Sequence, residues 1–185
     1  MKLSRIASLL AGVGILAGAQ VALASDGTIN FTGEIQASTC VIDHATPHNQ
    51  IVALAPVNKT AFAGSGSTAG WQVFLIKLKD CSGSTYNTAR AFFESGVTVN
   101  GAGRLLNTDG TASAAQGVDL QLRQASSGDV IQIGNPSQLS LPGFVIDNAG
   151  GTAELRYEAG YYAADASLVE PGLVKSSVTY SITYQ

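Results

Sequence analysis

The sequence predicts an all-β fold, an antiparallel β-sandwich, and two observations carry that prediction. Beyond about residue 24, apolar side chains recur at every second position in short runs, as half-buried strands require. Stretches rich in Gly, Asn, Ser and Pro separate the runs, and no segment after residue 24 has the spacing of an amphipathic helix. Short strands joined by such turns are typical of sandwiches. A closed barrel has the same periodicity and remains the structural alternative.

The predicted strands follow one another along the chain, each with one apolar face. The first runs over 27–37, where odd-numbered residues alternate with Thr, Asn, Glu and Gln, and the last runs over 178–184. The apolar stripes between them are Phe74, Ile76 and Leu78; Phe93, Val97 and Val99; Val118, Leu120 and Leu122; Ile131 and Ile133; and Ala153, Leu155, Tyr157, Ala159 and Tyr161.

The first 24 residues have the layout of a secretory signal peptide. Lys2 and Arg5 accompany an apolar run over 6–16, and the small residues Ala22 and Ala24 frame a cleavage site. We predict cleavage after Ala24, and a second such site ends at Ala19. Because the apolar run is shorter than the ~20 residues of a spanning helix, we expect export rather than anchoring.

The charge balance excludes one class of partner. Only 12% of the residues are charged, and the 161 residues after the predicted signal carry eight basic and 13 acidic side chains. Binding to nucleic acid depends on clustered Lys and Arg, so we expect no nucleic-acid partner. The length fits a single domain large enough to bury a core.

Cys40 and Cys81 are the only cysteines of the chain. In an oxidising compartment an even number of cysteines indicates a disulfide, and we predict that these two are joined. Two free thiols are the alternative. A zinc site is disfavoured because the pair lacks the CxxC spacing of a zinc ligand set.

The titratable residues form no recognisable catalytic or metal-binding set. His44 and His48 have the spacing of one helix face, but Pro47 between them favours a turn. Residues 64–69 match a GxGxxA loop, yet a strand follows where a dinucleotide site needs a helix N-terminus. We therefore expect that the protein is not an enzyme and uses no cofactor and no metal ion.

Five motifs occur in order along the predicted mature chain. They are the segment 27–35, the triplet Ser38-Thr39-Cys40, the run from Phe74 to Cys81, the stripe from Val118 to Leu122, and the C-terminal run from Val178 that ends in Tyr184-Gln185. In this combination the chain resembles the structural pilins of chaperone-usher fimbriae, and most of all the type 1 fimbrial major subunits.

The resemblance implies an incomplete immunoglobulin-like sandwich that is completed by a donor strand from another subunit. It divides the chain into a signal peptide (1–24), a donor-strand extension (25–34) and a pilin domain (35–185). Three side chains of the extension would enter the groove of a neighbour: Gly27, Ile29 and Phe31. The strand that borders the groove and contacts the chaperone would carry Val178, Tyr180, Ile182, Tyr184 and Gln185. The Cys40–Cys81 bridge would tie the first strand to the second across the core.

The implied function is that of a structural subunit of a surface fimbria, which polymerises by donor-strand exchange after chaperone-usher secretion and supports cell adhesion. Its partners would be identical or related pilin subunits, a periplasmic chaperone and an outer-membrane usher. It would pass through the periplasm to the fimbrium on the cell surface. A secreted single-domain glycan-binding adhesin and a minor pilus adaptor are the alternatives.

The short N-terminal extension departs from the expected pattern. With cleavage after Ala24, eight residues precede Gly33, and Ser25 occupies the far end of the donor strand. Cleavage after Ala19 would add Val21 and Leu23 to the same apolar stripe. The position of the mature N-terminus therefore decides how many pockets the extension fills.

Overall fold

The computed structural model describes residues 40–44, 49–81 and 86–185, together with Asn30. Within these ranges the backbone forms strands and short 3₁₀ helices and no α-helix. The strands are β1 (Val41–Ile42), β2 (Thr68–Lys79), β3 (Thr88–Phe93), β4 (Leu105–Leu106), β5 (Val118–Gln124), β6 (Val130–Ile131), β7 (Phe144–Val145), β8 (Ala153–Ala163) and β9 (Tyr180–Tyr184). The 3₁₀ helices span Lys59–Ala61, Pro136–Ser140 and Ala166–Leu168.

The strands form two antiparallel sheets. The first has the order β1-β2-β8-β5-β4, and β6 also pairs with β5. The second has the order β7-β3-β9. From Cys40 onward the described residues belong to one compact unit. The predicted antiparallel β-sandwich is confirmed.

Tyr157 lies at the centre of the core between the two sheets. Its side chain comes from β8, and its ring centre is 5.1 Å from that of Phe93 on β3 and 5.2 Å from that of Phe144 on β7. Both contacts are edge-to-face, a favoured geometry for aromatic pairs. Tyr157 and Phe93 are each only 1% exposed. The aromatic cluster therefore joins the two sheets.

Most of the predicted apolar stripes face this core. The inward positions of β2, β5 and β8 are buried or packed against the buried cluster, as the two-residue period indicated. One stripe is wrong in part, because β3 ends at Phe93 and Val97 is 98% exposed in the turn that follows. Val99 returns to the core edge through an isolated bridge to Leu105.

A β-bulge bends the long strand β2. The pairing of β2 with β8 shifts by one residue between Ala69 and Gln72. Opposite the bulge, a Cβ atom on Gly160 would lie 2.6 Å from the Trp71 ring, so only glycine leaves room for that ring. The Arg123 guanidinium lies 3.8 Å from the centre of the same ring and bonds to Glu158 at 2.5 Å. Trp71 is thereby held flat on the outer face of the sheet.

In the part of the chain that the structure describes, no helix has the length and apolar character to cross a membrane.

A candidate functional site between β9 and residues 49–54

An open groove of about 680 Å³ runs between the end of the chain and the segment that follows β1. One side is formed by residues 49–54, with Val52 and Leu54 half-buried, and the other by residues 176–180. The floor consists of apolar side chains from both sheets, namely Phe74, Ile76, Phe93, Leu105, Leu120, Leu122 and Ala159. A second depression beside β2, of about 590 Å³, shares Val52, Phe74 and Tyr180 with the groove and continues it. Among the residues that the structure describes, the core of the sandwich is thus open along one side.

The backbone of β9 presents an unpaired edge to this groove. Gln185 and Thr88 exchange two backbone hydrogen bonds, each of 2.9 Å. In antiparallel pairs, bonded and non-bonded positions alternate, so the odd-numbered residues of β9 bond to β3 and Tyr180, Ile182 and Tyr184 direct their backbone groups away from it. Among the described residues no strand pairs with this second edge.

The unpaired edge continues upstream of β9. The amide of Glu94 donates to the carbonyl of Thr179 at 2.9 Å, and the hydroxyl of Thr98 donates to that of Ser177 at 2.7 Å. The amide of Thr108 donates to the carbonyl of Lys175 at 2.7 Å. All these bonds are made by odd-numbered residues on the side away from the groove. Residues 174–184, which we call the β9 wall, therefore form one extended edge of about 33 Å at ~3.3 Å per residue.

Asn107 fixes the start of the β9 wall. Its side-chain oxygen accepts from the amide of Lys175 at 3.0 Å, and its side-chain nitrogen donates to the carbonyls of Leu173 and Ala115, both at 3.0 Å. At the start of the β9 wall, one amide side chain thus makes hydrogen bonds that the backbone of a neighbouring strand would otherwise make. Nothing in the residue pattern singles out Asn107, because Leu173 and Lys175 lie more than 60 residues away in the sequence.

The second edge of β3 shows how this fold satisfies other exposed backbone groups. The amide of Ala91 donates to the Tyr157 hydroxyl at 2.8 Å. The buried amide side chain of Gln138 accepts from Phe93 N–H and donates to Phe93 C=O, each at 3.0 Å. Buried backbone groups are almost always paired. The β9 wall is the contrasting case, since its free edge lies beside an apolar groove with no such side chain across it among the described residues.

The predicted groove residues fall into two groups. Val178 and Tyr180 line the groove, whereas Ile182 and Tyr184 pack against the core further along β9. The Tyr184 hydroxyl accepts a hydrogen bond from the amide of Cys40 at 3.1 Å, and burial raises the pKa of both Tyr180 and Tyr184. Burial alternates from Val178 to Ile182 as the sequence indicates, whereas Thr183 is half-buried like Ile182 and Tyr184.

Gln185 closes β9 rather than lining the groove. Its backbone pairs with Thr88, and its side-chain oxygen accepts from the guanidinium of Arg90. Arg90 is 4% exposed and also donates to the carbonyl of Leu139. Burial lowers the pKa of Arg90. Gln185 therefore satisfies a buried cation, a role that the sequence did not indicate.

The predicted donor residues Gly27, Ile29 and Phe31 lie outside the described residues, as do the signal segment 1–24 and the rest of the extension 25–34. The described residues supply the groove, and the proposed donor remains a prediction from sequence.

Cys40 and Cys81 form a disulfide with an S–S distance of 2.04 Å. Its position differs from the expected one. Cys40 precedes β1 and Cys81 follows β2, and these strands are neighbours in the same sheet, with Val41 opposite Lys79. The bridge therefore joins two adjacent strand ends instead of crossing the core between the sheets.

Several titratable groups of the described residues have structural partners. His44 is exposed, and its ring nitrogen Nε2 lies 2.7 Å from the carbonyl oxygen of Asn49. Burial raises the pKa of Asp119, whose carboxylate accepts from the Asn100 amide at 2.7 Å. No group of three or more potential metal ligands occurs among the described residues. His48 lies outside them.

The aromatic rings on the outer face of the first sheet are already stacked. Trp71 lies under Arg123, and Tyr162 lies under Arg104, with 3.7 Å between the Arg104 guanidinium carbon and the ring centre. A sugar that stacked on either ring would have to displace a guanidinium. This geometry does not favour the glycan-binding alternative.

Comparisons with known proteins agree with the open sandwich. The family model of the type-1 fimbrial protein FimA matches residues 54–185. The major fimbrial subunit SMF-1 of Stenotrophomonas maltophilia is 39% identical over 175 residues, which cover 92% of this chain and 99% of that protein. The serotype 2 fimbrial subunit of Bordetella pertussis is 33% identical and covers 90% of each chain.

Solved structures show the same fold. A Burkholderia pseudomallei antigen and type I fimbria protein is similar with a TM-score of 0.51 and 34% identity, over 85% of this chain and 97% of that one. The rod subunit of the P pilus has a TM-score of 0.54 at 20% identity, over 79% of this chain and 99% of that one. The chain therefore belongs to the type-1 fimbrial protein family, whose members are structural subunits of fimbriae and not enzymes.

Proposed function

We propose that this fimbrial subunit polymerises by donor-strand exchange, in which residues 25–34 of a second copy fill the groove between residues 49–54 and the β9 wall. The observation that carries the proposal is the unpaired edge of β9 beside an apolar groove that reaches the core. An inserted strand would pair with the free backbone groups, and its alternate side chains would enter the groove. Gly27, Ile29 and Phe31 supply that alternation.

The open groove also accounts for the partners that the subunit would need before assembly. An exposed apolar groove with a free strand edge is prone to aggregation. A periplasmic chaperone would cover it, and an outer-membrane usher would exchange the chaperone for the next subunit. In this proposal residues 1–24 direct export, 25–34 are the donor, and 35–185 form the pilin domain that is displayed in the surface fimbria.

Appending a donor to the same chain tests the groove. A copy of residues 25–35 is placed after Gln185 through a flexible linker of about 15 residues, which is long enough for either strand direction. We expect a higher midpoint of urea unfolding, because the added strand pairs the β9 wall and covers the groove. The unfolding is followed by the fluorescence of Trp71, the sole tryptophan.

A matched control carries the same tail with Ile29→Ser and Phe31→Ser in the appended copy. It should be no more stable than the parent chain, since its side chains gain little from an apolar groove. If the intact tail stabilises the protein no more than the substituted tail, the donor-strand proposal is wrong.

Deleting the extension tests its role as a donor. A chain without residues 25–32 should still accept the donor of another copy but should not extend a fibre. Electrophoresis in SDS without boiling should show a ladder for the full chain and only short products for mixtures rich in the truncated one. Normal fibre growth by the truncated chain alone would contradict the assignment.

A further inference from the structure

Two leucines are exposed at the end of the sandwich where the β9 wall begins. Leu168 is 60% exposed and Leu173 is 58% exposed, and both lie in the connection between β8 and β9. Between them, Val169 is buried in a small cluster against which Val174 packs. Because the connection packs on this cluster, it forms one end of the sandwich.

The backbone that carries Leu173 is held in place. Its amide donates to the carbonyl of Ser113 at 2.7 Å, and its carbonyl accepts from Ala115 at 2.9 Å. A Cβ atom on the adjacent Gly172 would lie 2.4 Å from this same segment, so the two backbones are in direct contact. Leu173 is therefore a large apolar side chain that is exposed on a fixed backbone.

The opposite end of the β9 wall lies beside Cys40, where the described range 40–44 begins. The amide of Cys40 bonds to the hydroxyl of Tyr184 at 3.1 Å. Residues 36–39 are joined to Cys40, so each subunit's own extension leaves from the Tyr184 end. The Val174 end lies about 33 Å away at ~3.3 Å per residue of extended chain.

This arrangement restricts where an incoming subunit can lie. In a fibre, each copy donates its extension to one neighbour and accepts one from another. If the incoming donor ran parallel to β9, its Glu34 would end near Tyr184, and its domain would compete for space with the acceptor's own exit. A donor antiparallel to β9 ends instead at Val174. Six peptide steps separate Glu34 from Cys40, so the donor's domain begins within about 22 Å of that end.

The charges favour the same antiparallel direction. Lys175 is the only charged residue in the β9 wall, and its ammonium group forms no salt bridge with any residue that the structure describes. An antiparallel donor whose odd-numbered side chains enter the groove can place Glu34 directly opposite Lys175. Opposite charges at directly paired positions stabilise a strand pair. Hydrogen bonds from Thr111 lower the pKa of the acceptor's Asp109, and the charge of Lys175 adds to this effect.

We propose that, in the assembled fibre, the domain of the donor subunit covers Leu168 and Leu173 of the acceptor while the donor's Glu34 pairs with the acceptor's Lys175. The inference rests on the proposed function and adds to it a second interface, outside the groove, between the same two copies of this chain.

The length of an appended linker tests the strand direction. An antiparallel donor starts beside Tyr184, so a copy of residues 25–35 attached to Gln185 through four residues can fill the groove. A parallel donor would start at Val174, and four residues span only about 17 Å of the 33 Å required. We expect the short linker to stabilise the chain as much as a 15-residue linker does. Stabilisation by the long linker alone would overturn the antiparallel arrangement.

Fibres of full-length copies test the second interface. The double variant Leu168→Ser, Leu173→Ser is compared with Val145→Ser, a control at a side chain that is 75% exposed on β7. We expect the double variant to lower the affinity between copies by roughly tenfold or more, as for apolar contacts at the centre of an interface. Its fibres should release subunits at a lower guanidinium concentration, while Val145→Ser fibres behave like the parent.

A synthetic peptide of residues 25–35 separates the interface from the groove, because it has no domain attached. The double variant should bind this peptide as the parent does. Lys175→Glu should weaken peptide binding by roughly two- to fivefold, and a peptide with Glu34→Lys should restore it. The inference is overturned if the double variant releases subunits at the parent's guanidinium concentration, or if the charge exchange restores nothing. A peptide that fails to bind the parent chain would instead contradict the proposed function.

Discussion

Tyr157 shows how a single residue links the two sheets. Its ring belongs to the aromatic cluster of the core, and its hydroxyl accepts the hydrogen bond of Ala91, a backbone group at the edge of β3. A phenol in this position resists ionisation, because the charged form would be desolvated. Burial accordingly raises the pKa of Tyr157 to about 12 from 10.0.

The raised pKa of Tyr157 predicts a loss of stability in alkali. The folded state holds the phenol proton more tightly than the unfolded state, so the free energy of unfolding is unaffected below pH 10. It should fall by about 1.4 kcal/mol per pH unit between pH 10 and 12, where only the unfolded chain ionises. Urea unfolding at several pH values would measure the decline, and Tyr157→Phe should make it shallower.

The control for this measurement is Tyr162→Phe, at a half-buried ring on the outer face of the sheet. It removes a tyrosine outside the aromatic cluster, so a shallower decline that is specific to Tyr157→Phe assigns the effect to the buried phenol. At neutral pH, Tyr157→Phe should itself cost about 1–3 kcal/mol, because Ala91 N–H loses its partner. An identical pH dependence in all three proteins would show that Tyr157 is not the group responsible.

Among the strands and segments, the β9 wall depends on a side chain for its position. Replacing Asn107 with Ala removes the bonds to Leu173, Lys175 and Ala115 together. At about 0.5–1.5 kcal/mol for each bond, and with the site partly exposed, we expect a loss of about 1–3 kcal/mol in the free energy of unfolding. Binding of the peptide 25–35 should weaken as well, because the start of the wall is no longer held.

Asn58→Ala is the matched control for Asn107→Ala. The Asn58 side chain also accepts backbone and hydroxyl hydrogen bonds, but only from Thr60 in an exposed turn, and Asn58 does not line the groove. It should cost about 1 kcal/mol or less, as for a helix cap, and leave peptide binding unchanged. Equal effects of the two variants on peptide binding would contradict the role assigned to Asn107.

The strands themselves differ in how far the sequence predicts them. Stripes such as Ile76 with Leu78, or Leu120 with Leu122, are buried as the alternation indicates. Every second side chain of a strand faces the core, so burial follows the two-residue period of the sequence directly. The sequence pattern places Val97 in the stripe of Phe93, but Val97 lies in a turn. The three apolar residues of that stripe are spaced by four and two positions, and this spacing fits a strand and a turn equally well.

One side of the groove, and the side chains that hold the nearby backbone in place, cannot be predicted from the sequence alone. Residues 49–54 end in four consecutive apolar residues and pair with no strand among the described residues, so the two-residue period predicts no element there. Asn107 and Gln138 act through contacts with residues distant in sequence, and such contacts leave no local pattern. The run 178–184 is predicted because its alternation in the sequence is uninterrupted, although of its apolar residues only Val178 and Tyr180 line the groove.

For the molecule as a whole, the disulfide restrains two parts of the open sandwich. Cys40 and Cys81 are separated by 41 residues, and the loop between them contains residues 49–54 and all of β2. The bridge also keeps Cys40 beside Tyr184, where the chain's own extension leaves the domain. One crosslink therefore restrains a side of the groove and Cys40, the residue that follows the proposed donor segment and residues 35–39 along the chain.

Removing this bridge should weaken both stability and strand binding. The double variant Cys40→Ser, Cys81→Ser should lose about 4 kcal/mol in the free energy of unfolding, from the loop entropy that the crosslink removes in the unfolded chain. It should also bind the peptide 25–35 less tightly, because β1, which precedes residues 49–54, is then held to β2 by backbone pairing alone. Reduction of the parent protein with dithiothreitol should reproduce both effects without a change of residue. If the reduced parent loses stability but binds the peptide with undiminished affinity, the bridge stabilises the fold without shaping the groove, and the second role is wrong.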